Sequence, residues 1–347
     1  MIMKINGIYI LLSVGLMISF LCSLAFGAMH IPLREVLYAM GKYLGISTVH
    51  PDPTLAGVIH IVRLPRVLLG MLVGAALGVS GAAIQGIFRN PLAEPGLIGI
   101  SAGASLLAAL IITLEVSLLA GLSNLLGYYL LAFGAFVGAG IVAFMVYHIS
   151  KINGKPNVAT MLLAGIAINA LAGALTGLLT YLSDEQQLRT ITFWMLGSLG
   201  GATWQTVACT TPFILIPVAM LPLLAKPLNG FALGESQAHM LGLNPARTKK
   251  QVVILATMAV GASVAVSGII GFVGLLVPHT VRLMGGVNHK FVLPASALLG
   301  ALSLTVADLI ARTLIAPIEL PIGVITALLG TPVFLYILIK EKNKLFH

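Results

Sequence analysis

Apolar stretches of about twenty residues, parted by short polar breaks, recur from one end of the chain to the other. A helix needs roughly 20 apolar residues to cross a hydrocarbon core of about 30 Å. The pattern therefore predicts ten membrane spans, at about 6–28, 64–88, 95–114, 126–148, 158–182, 204–225, 250–268, 270–285, 292–312 and 321–340. Only Gly268 to Gly271 separates the seventh from the eighth. An even number leaves both ends on one side, and that side carries thirteen of the nineteen Lys and Arg residues. Cationic loops stay in the cytoplasm, so both termini are expected there.

Arg63 to Gly103 has the sharpest pattern. Two arginines frame a proline, Val67 to Phe88 runs without a charge, and the run breaks at Arg89-Asn90-Pro91 before resuming. Gly70, Gly74, Gly78 and Gly81 recur at helical spacing. In water such glycines weaken a helix; in lipid they let helices approach backbone to backbone. The eight residues Gly74 to Gly81 match Gly261 to Gly268 at five positions, and the two copies run in opposite directions. That is the mark of an inverted repeat, which puts a transport path at the repeat interface.

Composition narrows the class. Of 347 residues 59% are hydrophobic and 8% charged, and the mean hydropathy is +1.06. A soluble globular protein is excluded, and residues 1–347 read as a single polytopic transmembrane domain. The net charge of +9 fits cytoplasmic loops better than nucleic acid. Cys22 and Cys209 both lie in apolar runs and imply neither a disulfide framework nor a metal site.

Two loops carry further signals. Arg189 to Gly201, with Phe193 and Trp194, predicts a short interfacial helix on the outer side. The longest inner loop, about 226–250, holds Ala232 to Leu243, which reads as a short amphipathic helix ended by Asn244-Pro245. It lies on the membrane or docks a protein; without a Lys/Arg-rich face it suits a protein better.

The chemistry of catalysis is missing. No G-x-x-x-x-G-K-[ST] loop is present, so the chain is not its own ATPase. No metalloprotease or nucleophile-elbow motif occurs. His279 reads as a hydrogen-bonded residue at a helix end rather than a ligand. Asp308 and Arg312 are spaced as a helical ion pair. Glu94 falls in an inner turn and Glu115 at an outer end, so no chain of acids crosses the membrane. Arg63, Arg66 and Arg312 all map to outer loops, where three exposed cations either anchor the membrane edge or dock an acidic partner.

The run RLPR…GxxxxxSGxxxQ…NPLAEPGxxGxSxGA resembles the permeases of ABC importers for iron–siderophores, haem and cobalamin, the FecCD/BtuC-like family. MLLAGIAIN at 161–169, ALGESQAHMLGLN at 232–244, SGIIGFVGLLVPHTVRL at 267–283 and ELPIGVITALLGTPVFLYIL at 319–338 extend the resemblance over nearly the whole chain. It implies an all-α type II importer permease of ten transmembrane helices in the bacterial cytoplasmic (inner) membrane. Two permeases would pair, as a homodimer or heterodimer, with two cytoplasmic ATPase subunits and an extracytoplasmic binding protein. No cofactor is implied in this chain, since ATP and Mg would sit on the ATPase. By the same resemblance, Arg63, Arg66 and Arg312 dock the binding protein. Asn90, Leu92, Val158 and Ala159 line the cytoplasmic gate, and Gly234, Glu235, Ala238 and Gly242 belong to the helix that seats in the ATPase.

The expected mechanism is alternating access driven by ATP bound elsewhere. The first expected substrate is a ferric siderophore, with haem, cobalamin and an oxyanion as alternatives. Val158 and Ala159 replace small hydroxyl residues associated with the cobalamin permease, which counts against cobalamin. The rival from another class is an ion-coupled secondary transporter, which requires a mid-membrane ion site that the sequence lacks.

Overall fold

The computed structural model describes residues 2–43, 45, 52–114 and 129–345; Glu115 and residues 126–128 of the fourth predicted run lie outside them. The described chain is helical apart from one two-stranded hairpin. In order come α1 (Ile2–Ala25), α2 (Leu33–Tyr43), α3 (Pro53–Phe88), a 3-10 turn (Pro95–Ile98), α4 (Ile100–Leu114) and α5 (Tyr129–Ile149). The hairpin of β1 (Lys151–Ile152) and β2 (Lys155–Pro156) follows, then α6 (Val158–Leu182), α7 (Glu185–Leu196), α8 (Trp204–Met220) and α9 (Ala225–Phe231). The chain ends with α10 (Glu235–Met240), α11 (Pro245–Ser267), α12 (Val273–Gly285), α13 (His289–Thr313) and α14 (Ile322–Leu345).

Each of the ten apolar runs carries a helix, but not all are full crossings. Among the described residues seven helices are long and apolar enough to span a membrane, while Ile100–Leu114 and Ile322–Tyr336 are apolar but shorter. The third run is cut at Gly99, whose φ of +84° ends the 3-10 turn. The eighth is cut to 13 residues. Gly268 (φ +69°) and Phe272 (φ +67°) both take left-handed backbone between α11 and α12, a region closed to ordinary helix.

Helix starts follow from local side chains. Asn157 Oδ1 accepts from Thr160 N at 3.0 Å, and Asn244 Oδ1 from Arg247 N at 3.0 Å, with Pro245 at the first helical position. Asp184 and Gln187 form a reciprocal capping box for α7. That cap starts the helix at Glu185, four residues ahead of the predicted segment. In the inner loop the predicted helix 232–243 is shortened to α10, Glu235–Met240, and Gly234, whose φ of +108° no helix contains, parts it from α9.

The bundle is built around α3, which is buried along most of its length and packs against α13, α11, α12 and α8. The glycine stripe explains how. A side chain at Gly74 or Gly78 would run into the backbone carbonyls of Gly300 and Ser296 on α13, and one at Gly81 into that of Gly274 on α12. Close backbone approach of this kind is the packing expected of small residues in lipid. The two copies of the internal octapeptide thus lie in α3 and α11, which are in contact.

The helix α6 is the opposite case. Leu163, Ile166, Leu171, Leu175, Leu178 and Tyr181 are all exposed, and among the described residues nothing outside the helix lies within 4 Å of a side chain added at Gly173 or Gly177.

Candidate functional site: two polar clusters and an open helix

The first cluster lies where α3 begins, α13 finishes and α1 ends. A π-helical turn, Val58–Arg63, leads into the straight part of α3 and delivers Arg63 and Arg66 to the same place as Arg312. All three are buried, at 5%, 9% and 5% exposure, and all three are on helices. This corrects the expectation of exposed cations in loops. Their charge is used internally, because an unpaired guanidinium is too costly to bury. Arg66 Nη2 and Nε donate to Asp308 Oδ1 at 2.8 and 3.0 Å, while Nη1 donates to Glu319 Oε1 at 2.8 Å. Arg312 Nε lies 3.4 Å from Asp308 Oδ2, the helical pair read from the sequence. Its Nη2 donates to the Ser23 carbonyl and hydroxyl. Arg63 donates to the carbonyls of Leu24 at 2.6 Å, Ala25 at 2.8 Å and Met29.

Gly27 lets these groups approach: a Cβ there would be 3.2 Å from Arg63 Nη2 and 3.3 Å from Arg312 Nη1. Sequence reasoning found the arginines and Asp308 but missed Glu319. Its signal was weak, a lone acid just before the last apolar run.

The second cluster lies at the other ends of α3 and α13. Arg89 closes α3 in left-handed backbone (φ +49°), and Asn90 Oδ1 accepts from Leu92 N at 2.9 Å, folding the turn that follows. Asn90 is exposed and Leu92 half-buried. Glu94 is half-buried in this turn, and its partial removal from water pushes its carboxyl above the ordinary range. Val158 and Ala159 open α6, half-buried and exposed respectively. No hydrogen bond among the described residues joins them to the Asn90 turn. The link between turn and α6 is further along, where Asn169 Nδ2 donates to Gly96 O at 3.1 Å.

Close by, Arg282 Nη1 donates to Gln85 Oε1 at 2.5 Å, and Asn229 Oδ1 binds both the backbone N and Nδ1 of His289.

The expected ATPase-seating residues divide by environment. Gly234 and Gly242 are glycines with positive φ, at +108° and +76°, that bracket α10. Ala238 is fully buried, on the side of α10 that faces the bundle. Glu235 is tied to Lys249 Nζ at 2.6 Å. Leu233, Met240 and Leu241 are exposed beside them. Lys249, almost wholly buried, was missed because its position near the start of an apolar run reads as one more surface cation.

Known proteins resemble this chain in sequence and in overall fold. The FecCD transport family matches residues 15–340. The hemin transport system permease protein HmuU of Yersinia pestis is 49% identical over 284 residues, 82% of this chain and 83% of that protein. The cobalamin import system permease protein BtuC of Halobacterium salinarum is 39% identical over 312 residues, 90% of this chain and 80% of that one. A solved inward-facing metal-chelate type ABC transporter superposes with a TM-score of 0.83 at 33% identity, covering 96% of this chain and 99% of its own. A multi-span membrane permease subunit, with ATP hydrolysis on a separate chain, is the class that fold and relatives define. The chain belongs to the FecCD transport family of ABC importer permeases.

Proposed function

We propose that this chain is one of two paired permeases that carry a metal chelate across the bacterial inner membrane, with all ten apolar runs embedded and both termini cytoplasmic. The open face of α6 carries the pairing. A long apolar helix with so little of its surface covered needs a partner more specific than lipid once Gly173 and Gly177 leave room for close approach. A second permease on that face would put the translocation path between the subunits, with Val158, Ala159 and the Asn90–Leu92 turn at its cytoplasmic gate.

Haem is the substrate we infer first. The 49% identical relative is a hemin permease and the 39% identical one a cobalamin permease, both cargoes being metal-bearing tetrapyrroles. Those names support a tetrapyrrole over the ferric siderophore of the first expectation.

An extracytoplasmic binding protein would dock at the Arg63, Arg66 and Arg312 end. Because these arginines are buried and engaged, its first contact would be the half-exposed Glu319 that Arg66 holds rather than free charge. A cytoplasmic ATPase would seat against α10, meeting Glu235 and the exposed Leu233, Met240 and Leu241. The test of the function is haem uptake into vesicles carrying the chain with its ATPase: uptake only with ATP is expected. Uptake of a ferric siderophore but not haem would overturn the substrate inference.

A further inference from the structure

We infer that Lys249 is a positioning residue that ties the ATPase-docking segment to the gate helix, so that displacement of α10 is passed to the start of α6; this rests on the permease reading above. The Lys249 ammonium is an expensive group to bury. Lys249 lies one turn into α11 with 1% of its side chain exposed, and a buried ammonium persists only when its donors are satisfied. Its Nζ makes two bonds to different parts of the chain: to Glu235 Oε1 at 2.6 Å and to the carbonyl of Pro156 at 3.0 Å.

Glu235 opens α10. Pro156 ends the hairpin, whose Asn153-Gly154 turn has positive φ at both residues (52° and 76°) and is therefore tight. The next residue, Asn157, is bonded back to Ser150 O at 2.9 Å and caps α6 through Thr160 N at 3.0 Å. One ammonium thus bridges the segment facing the ATPase and the residue two positions before Val158.

A cavity of about 770 Å³ lies between the hairpin and α10, lined by Lys155, Pro156, Glu235, His239, Leu243 and Lys249. The two elements therefore meet through this bridge across space rather than through a packed apolar seam. Breaking either bond would leave α10 free to move into that space without carrying α6 along. Neither Glu235 nor Pro156 can be released cheaply, since the buried lysine would then lose one of the two bonds that compensate its burial.

The test uses the whole importer in lipid vesicles, reading haem moved per ATP hydrolysed for the unaltered chain, Lys249→Met and Lys249→Arg. Methionine keeps the length and loses both bonds. The expected result is continued hydrolysis with about a tenfold lower ratio for Lys249→Met, and most of the ratio regained by Lys249→Arg. A Lys249→Met importer that moves as much haem per ATP as the unaltered one overturns the relay. If that variant does not assemble, Lys249→Gln, which is neutral and one atom shorter, takes its place with the same expectation and the same overturning result. An unaltered importer that moves no haem with ATP rejects the proposed function and not the relay. The relay is then read from amide exchange at residues 158–162, where faster exchange in Lys249→Met supports it and unchanged exchange overturns it.

Discussion

Arg66 holds Asp308 and Glu319 at the same time, and the two carboxylates differ in kind. Asp308 is buried between Arg66 and Arg312, whereas the Glu319 side chain is 45% exposed. Removing the Asp308 charge leaves Arg66 with Glu319 alone and takes the carboxylate partner from buried Arg312; removing Glu319 loosens a bond that water replaces. Asp308→Asn is expected to destabilise the detergent-solubilised chain by about 3 to 5 kcal/mol. Glu319→Gln is expected to cost about 1 kcal/mol or less. Thermal unfolding of the two variants separates these outcomes, and equal losses would contradict the buried-pair account.

The glycine stripe of α3 gives a steric prediction. At Gly81 an added methyl group meets the Gly274 backbone, which cannot rotate away as a side chain would. Gly81→Ala is expected to lower stability by about 1 to 3 kcal/mol. Gly173→Ala, on the open face of α6, is expected to leave the single chain's stability unchanged while weakening self-association. Unfolding midpoints and cross-linking yield in vesicles check the pair.

Glu94 gives a pH prediction. Burial raises its carboxyl in the folded chain above the unfolded value. Stability from this group is therefore full below the unfolded value and lost as pH rises through the folded one. The midpoint of Glu94→Gln is expected to gain on that of the unaltered chain as pH is raised from 4 towards 7. A constant gap across that range would contradict the assignment.

Gly234 sets the angle between α9 and α10 with a φ of +108°. Gly234→Ala places a side chain in backbone that strains it by about 1 to 2 kcal/mol. The expected effect is weaker retention of the ATPase on co-purification, with folding preserved.

Much of this was legible in the sequence, for identifiable reasons. The apolar runs mark where helices lie because lipid demands internal hydrogen bonding. Asn157, Asp184 and Asn244 announce helix starts through short-range chemistry. The i,i+4 spacing of Asp308 and Arg312 is local, so it was read correctly. What remained hidden is non-local. The pairing of Arg66 with Glu319 spans 253 positions, and that of Lys249 with Pro156 spans 93. Positive backbone angles at Gly99, Gly234 and Phe272 decide where helices break, and nothing in apolar periodicity records them. Burial of the three arginines was missed because hydropathy places a charge at the end of a run without saying whether other helices close over it.

Movement through this chain is proposed to draw its energy from ATP bound on another. The most direct measurement is haem uptake into vesicles containing the chain and its ATPase, with proton and sodium gradients collapsed by ionophores. Uptake that requires ATP and survives the ionophores is the predicted result. Uptake by the chain alone, driven by an ion gradient and indifferent to ATP, would contradict it.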